Sequence, residues 1–311
     1  MYVVVLYLNF QQKTQHAGTR SGDQREHISL HHMPTSTFQP PCAIDSRSPL
    51  FINTNSLHHQ YFSIKAGVIK VTEHFQALLE SLSAELKEMD SGWSDYFNGL
   101  RFSYLEHLKE LSRFPPHGIT LEVGGFPFNF SFCLKKLGYD PVVLDLAPER
   151  MQPFISKHDL NVIQVDVEQE GLPLRDGSVN LIVFTDTFEH LRIDPIFVLE
   201  EMARVLAPDG TLYLTTPNFY RLGNIARILL GKGPMNHPLN EYLKLRRAGH
   251  MGHVREYTAK ELESLLKFAG FTDLCVQYSS PGRSSRGAVV DLLHRILIPM
   301  RPQLVVMAKK S

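Results

Sequence analysis

Glutamate and histidine stand side by side in "FEHL", as Glu189 and His190. An imidazole can take a proton from a hydroxyl near neutral pH, and a carboxylate beside it can orient the ring or stabilise its charge. The pair reads equally as a histidine capping the next helix or as two core residues. A second place with chemistry is "LEVGGFPFNF", residues 121–130, where an apolar run meets glycines as strands do on entering a nucleotide-binding turn. Gly124 and Gly125 would let the backbone approach a ligand that a β-carbon would repel, or would simply close an ordinary βα turn. Asp145 follows Gly124 by 21 positions, at the end of the next apolar run. A carboxylate there can accept both hydroxyl hydrogens of a ribose, or cap a helix.

The elements that must position these groups alternate from Ile119 onward. "ITLEVGG", "PVVLDL", "NVIQVDV" and "SVNLIVFTDT" read as strands, with helices over "FSFCLKKLGY", "APERMQPFISKH" and "PIFVLEEMARVL" between or after them. Asp194 and Pro195 are an N-cap and first-turn pair, and "APDG" predicts a turn into the strand "TLYLTT". Thr258 and Glu261 predict a capping box for "AKELESLLKFAG". Strands separated by helices of this length call for a mostly parallel sheet covered on both faces, a doubly wound α/β fold. Before it, Phe75, Leu78, Leu79, Leu82 and Leu86 recur at helical spacing, and "WSDYFNGLRFSYLEHLKELSRF" predicts a second helix. The expected organisation is an N-terminal extension over 1–66, covering helices over 67–116, and a main domain over 117–311 with a lid insertion at 217–257.

The extension is rich in Gln, His, Ser, Thr and Pro and lacks periodicity, so it predicts a disordered or poorly packed segment, or an over-extended start. The chain of 311 residues carries 32 Lys plus Arg and 32 Asp plus Glu, a balance that offers no long-range field for nucleic acid. Three dispersed cysteines give neither a disulfide framework nor a cysteine-rich zinc site, and a reducing cytoplasm is the simplest setting. His237, His250 and His253 make no zinc signature, and no dedicated metal site is expected. No run approaches the roughly 20 apolar residues of a membrane span. "LGNIARILLG" and "AVVDLLHRILIPM" are amphipathic and fit peripheral membrane contact, the wall of a lipid pocket, or, as the default, core or lid packing.

From Ile119 to Lys310 the chain resembles the class I S-adenosylmethionine-dependent methyltransferases of the small-molecule branch. The pieces stand in the family's order: Leu121, Glu122, Val123 and Gly124; the acids Asp145 and Asp166; "GLPLRDGSVNLIVFTDTFEHL"; "RVLAPDGTLYLTTPN"; and "HVREYTAKELESLLKFAGF". The resemblance implies a Rossmann-like sheet of seven strands with the last antiparallel, and S-adenosylmethionine as cofactor. It implies transfer of the methyl group to oxygen, nitrogen or carbon of a small molecule. Implied cofactor contacts come from Glu122, Gly124, Gly125, Asp145, Leu146, Asp166, Val167 and Thr185. Glu122 would place the methionine end, Asp145 the ribose, and Asp166 with Val167 the adenine.

His190, Glu189 and His253 are the catalytic candidates, a base being needed only when the acceptor is a hydroxyl. His253, with Arg255 and Tyr257, either touches substrate or anchors the lid. The insertion carries Arg221, Arg227, Lys232, Lys244, Arg246, Arg247 and Arg255 against Glu241 and Glu256. That excess fits an anionic acceptor, such as a carboxylate or a nucleotide-linked sugar, or solvates a lid.

The turn departs from the family pattern G-x-G-x-G, which falls on Gly124, Phe126 and Phe128 and keeps only the first glycine. Pro127 also removes an N–H donor. Two rival readings follow: a catalytically inactive methyltransferase-like binding or scaffold protein, supported by Phe126, Pro127 and Phe128, and an NAD(P)-dependent oxidoreductase sharing the turn and Asp145. If both rings point away from the cleft the site is live; if either fills it, the site is a relic.

Overall fold

Apolar residues alternate with period two along the central strands, and both resulting faces are buried. The computed structural model describes residues 73–89, 91–248, 252–280 and 287–310; the expected extension over 1–66 lies outside them. One sheet contains β1 (Ile119–Val123), β2 (Val142–Asp145), β3 (Asn161–Gln164), β4 (Val179–Thr185), β5 (Leu206–Pro217), β6 (Phe271–Ser279) and β7 (Gln303–Lys310). Their order is β3-β2-β1-β4-β5-β7-β6. The pairs from β3 across to β5 are parallel, and β7 enters antiparallel between β5 and β6.

The helices are α1 (residues 73–89), α2 (Ser91–Leu111), α3 (Asn129–Lys136), α4 (Gln152–His158), α5 (Pro195–Val205), α6 (Leu222–Leu229), α7 (Pro238–Ala248), α8 (Ala259–Phe268) and α9 (Ala288–Ile296). Leu121, Val123, Ile182, Phe184, Leu212 and Leu214 face one core shared with α5 and α8. Leu181, Val183 and Tyr213 face the other, shared with α1 to α4. Phe75, Leu79, Leu82 and Leu86 of α1 are buried in that second core, which is where the helical spacing puts them.

Two helix starts follow directly from sequence. Asp194 Oδ1 accepts from the amides of Ile196 at 3.1 Å and Phe197 at 3.0 Å, opening α5. The Thr258 hydroxyl accepts from the Glu261 amide at 3.2 Å while the Glu261 carboxylate accepts from the Thr258 amide at 2.9 Å, opening α8. "APDG" differs from its reading as a turn. It is absorbed into β5, where the pairing jumps from Val179–Leu206 to Leu181–Thr211. The four residues fall within that jump and bulge out of the pairing with β4.

The chain runs from β1 outward to β2 and β3, then returns to the other side of β1 to lay down β4. That reversal leaves a crevice over the carboxyl ends of β1 and β4, the place where open α/β sheets bind ligands. The insertion leaves β5 and returns beside its own start. Asn218 and Tyr257 form a bridge, and the Phe219 amide donates to the Tyr257 carbonyl at 3.0 Å. α6 and α7 lie between them.

Candidate active site

A cleft of about 480 Å³ opens over that crevice, walled by Val123, Gly124 and Phe126 after β1, Asp145 and Leu146 after β2, Val165 to Glu168 after β3, and Asp186, Thr187 and His190 after β4. Tyr96 of α2 and Lys244 of α7 complete its rim. Among the described residues no helix is long and apolar enough to cross a membrane.

The glycine turn is required by its own packing. Gly124 adopts φ +74°, and a β-carbon there would lie 2.4 Å from the Thr187 side chain. At Gly125 it would lie 2.2 Å from Val143 Cγ1. Within the fold, both glycines are demanded by packing of the turn against β2 and the β4 loop.

The two phenylalanines separate. Phe128 takes φ 68° and is fully buried in the core of α1 to α4, away from the cleft. Phe126 is half-buried and forms part of the cleft wall, with its ring edge against Phe128 and the Arg150 guanidinium 3.8 Å above its centroid. Neither ring closes the cleft.

Asp145 is buried, and its oxygens are fixed by backbone donors. Oδ2 accepts from the Phe126 amide and Oδ1 from the Ala147 amide, each at 2.9 Å. A carboxylate has about four acceptor positions, so two remain. Asp166 is half-buried and spends its oxygens locally, on the Glu168 amide at 3.1 Å and the Gln169 side chain at 2.6 Å. Val167 beside it and the exposed Leu146 offer apolar wall.

Glu122, Gly125, Thr185, Glu189 and His253 are not in the wall. Glu122 lies beneath the turn, where burial pushes its carboxyl up to about 8, the nearby Ser131 hydroxyl opposing and Asp145 adding to the rise. Thr185 ends β4, paired with Thr215, and its carbonyl accepts from the Thr187 hydroxyl at 2.9 Å.

The structure brings the three catalytic candidates together. His190 Nδ1 lies 3.0 Å from the Gly252 carbonyl. A carbonyl only accepts, so Nδ1 carries the proton and Nε2 keeps the lone pair. Burial and then the charge of His253 hold the His190 pKa below its ordinary value. The His190 and His253 rings meet edge-to-face with centroids 5.1 Å apart. Glu189 is buried behind them, and its Oε2 accepts from the Thr216 hydroxyl at 3.0 Å. Burial and then Asp186 hold its carboxyl well above the ordinary range. On the far side of His253, Nδ1 donates to Glu256 Oε1 at 3.0 Å.

Several wall residues escaped the sequence reading. Asp186 follows β4 at φ 48°, with Oδ1 accepting from Thr215 at 3.1 Å and Gln303 at 2.9 Å. Its signal was the one that identifies Asp145, an acid at the end of an apolar run. Glu168 gave no local signal: its Oε1 gathers the amides of Arg192, Ile193 and Asp194 at 2.7, 2.6 and 3.2 Å, joining two loops. Of the insertion's cations, Lys244 alone reaches the wall. Arg221 is held by Glu256, Arg227 by the Gly233 and Met235 carbonyls, and Arg255 by Glu261. Three of the seven expected cations are thus held by contacts of their own, and the wall's other cations, Arg150 and Arg192, come from outside the insertion.

Known proteins are similar to this chain in sequence and fold. A family model described as a methyltransferase domain matches residues 97–276. A Mycobacterium tuberculosis (H37Rv) protein bearing the name of an S-adenosylmethionine-dependent methyltransferase is 36% identical over 117 residues, 38% of this chain and 35% of that one. The ubiquinone biosynthesis O-methyltransferase of Xanthomonas campestris pv. campestris is 30% identical over 108 residues, 33% of this chain and 44% of that one. The match therefore spans between 35% and 44% of these relatives' own length. A chain of the complex between the Haloferax volcanii Trm112 methyltransferase activator and a methyltransferase superposes with TM-score 0.50 at 17% identity, over 71% of this chain and 95% of that one. At that identity the likeness speaks for the fold alone.

Proposed function

The chain belongs to the class I S-adenosylmethionine-dependent methyltransferases, and from that premise we propose that its cleft binds S-adenosylmethionine and delivers the methyl group to a small-molecule acceptor. The observation that carries this reading is Asp145. Its oxygens are locked by the Phe126 and Ala147 amides at the cleft's edge, with acceptor capacity left for two ribose hydroxyls. Leu146, Val165, Val167 and Leu191 supply the apolar wall for a base. Asp166, whose side chain is engaged within its own turn, is the proposed partner of the exocyclic amine. The carboxylates of Asp145, Asp166, Glu168 and Asp186 suit a ligand with a cationic centre. A volume of about 480 Å³ is ordinary for a small-molecule site.

The cofactor supplies a methyl group on a positively charged sulfur, already a good leaving group. The protein's part is to hold acceptor and methyl in line. A hydroxyl acceptor must also lose its proton as it attacks, and His190 Nε2 offers a lone pair at the wall. Glu189 and His253 act through His190 as positioning residues. The name of the Xanthomonas relative favours oxygen as the accepting atom. Lys244 and Arg192 fit an acceptor with anionic character. Calorimetric titration with S-adenosylhomocysteine tests the reading: micromolar binding supports it, and a folded sample that binds none overturns it.

A further inference from the structure

We propose that Glu189, His190 and His253 form a binding site for a divalent transition-metal ion beside the cleft. One ligand atom from each of these three residues lies within 4.8 Å of the others. His253 Nε2 faces Glu189 Oε1 at 3.8 Å, too far for a hydrogen bond and close enough for a shared ion. Zinc-type bonds of about 2.0–2.2 Å set neighbouring ligand atoms roughly 3.4 Å apart, so side-chain rotations of about 1 Å close the site.

The surroundings are those of ligands rather than of a chance cluster. Metal-binding imidazoles are oriented by a carboxylate or carbonyl on their other nitrogen. Both histidines have that partner: His253 Nδ1 is bonded to Glu256 at 3.0 Å and His190 Nδ1 to the Gly252 carbonyl at 3.0 Å. Each tie leaves Nε2 as the free lone pair. Glu256 is itself fixed by Arg221 and Asn224, each at 2.7 Å, so the orienting shell is rigid. Glu189 is a carboxylate buried with one hydroxyl donor, from Thr216, and no cation nearer than His253 among the described ion pairs. A bound cation would take the place of the carboxyl proton and balance the charge its loss leaves.

Two imidazoles and a carboxylate select zinc, manganese, iron, cobalt or nickel over calcium or magnesium, and three protein ligands leave positions open. His190 belongs to the cleft wall, so those positions adjoin the cleft. With the ion bound, the His190 lone pair is engaged, and an acceptor oxygen is activated by coordination instead. The site stands on its own geometry and goes beyond the methyl-transfer reading.

The test uses the full chain, stripped with a chelator and titrated with Zn²⁺ by calorimetry and with Co²⁺ by visible absorption. One equivalent should bind. His253→Ala and His190→Ala should each weaken it at least about 100-fold, and Glu256→Gln, which touches only the orienting shell, about 10- to 100-fold. No one-equivalent binding, or binding unchanged in all three variants, overturns the proposal. Thermal melts show that each variant is folded. S-adenosylhomocysteine affinity, measured on the same samples, reports separately on the methyltransferase reading and should persist in His253→Ala.

Discussion

The amide of Phe126 donates to Asp145 Oδ2 at 2.9 Å. The residue that breaks the glycine pattern of the turn is therefore also the one that steadies the carboxylate at the end of β2. Substitution of a glycine by phenylalanine leaves this backbone contact available, because the amide does the work while the ring turns into the wall beneath Arg150.

Asp145→Ala should remove the two proposed ribose contacts and leave the Phe126 and Ala147 amides without their acceptor. Hydrogen bonds to charged groups are worth about 1.5–3 kcal/mol each, so affinity for S-adenosylhomocysteine should fall by roughly 100-fold or more. Asp145→Asn, which keeps an acceptor and the shape, should fall less. Calorimetry on the two variants decides: equal affinity of Asp145→Ala and wild type would remove Asp145 from the site.

Phe126 and Phe128 should separate function from stability. Phe128 is fully buried, and its replacement by alanine should destabilise the fold by about 3–5 kcal/mol. Phe126 is half-buried and stacks with Arg150, so Phe126→Ala should lower stability by only about 1–2 kcal/mol while reshaping the wall. Urea unfolding with cofactor titration measures both. A larger loss of stability for Phe126→Ala would reverse the assignment of the rings.

What could be read in the sequence is what depends on neighbours along the chain. The alternation in Leu121 to Val123 and Leu181 to Phe184 sets both sheet faces, Asp194 and the Thr258–Glu261 pair set two helix starts, and Asp145 declares itself by ending a strand. What depends on topology could not be read. Glu189, His253 and Glu256 meet only because the insertion returns beside β5, and Glu168 grips amides some 25 positions away. The orientation of Phe128 turns on a positive φ that no side-chain preference announces. "APDG" keeps its turn chemistry inside the span of β5, where its four residues interrupt the pairing with β4 between Leu206 and Thr211.

Arg221→Met should loosen the insertion more than the sheet. Arg221 Nη2 lies 2.7 Å from Glu256, whose carboxylate is 1% exposed. Burial alone would raise the Glu256 pKa, but His253, Arg221 and Asn224 outweigh it and hold it below the ordinary value. Losing one partner of a buried ion pair costs up to about 3–5 kcal/mol; with His253 and Asn224 still bonded, about 2 kcal/mol is expected here. Hydrogen exchange should quicken across residues 219–248 and 252–257 with little change in β1 and β4. Uniform acceleration throughout the domain would show that the pair stabilises the whole fold.

Glu122→Gln should flatten the stability of the protein toward high pH. The Glu122 carboxyl rises from an ordinary 4.5 to about 8 in the folded state, because burial beneath the turn disfavours its charge. The native state thus holds a proton that the unfolded chain releases. The contribution is fully present below about pH 4.5, declines as pH rises, and is lost through about pH 8. At about 1.4 kcal/mol per pKa unit the swing is on the order of several kcal/mol. Glutamine is isosteric and does not titrate, so the wild-type advantage over the variant should shrink by that order between pH 5 and pH 9, and the variant should become the more stable protein at the alkaline end. Denaturant unfolding across that range gives the answer. Parallel curves would mean that Glu122 is ionised in the native protein, and the buried turn would then have to supply a compensating donor to the oxygen that has none among the described residues.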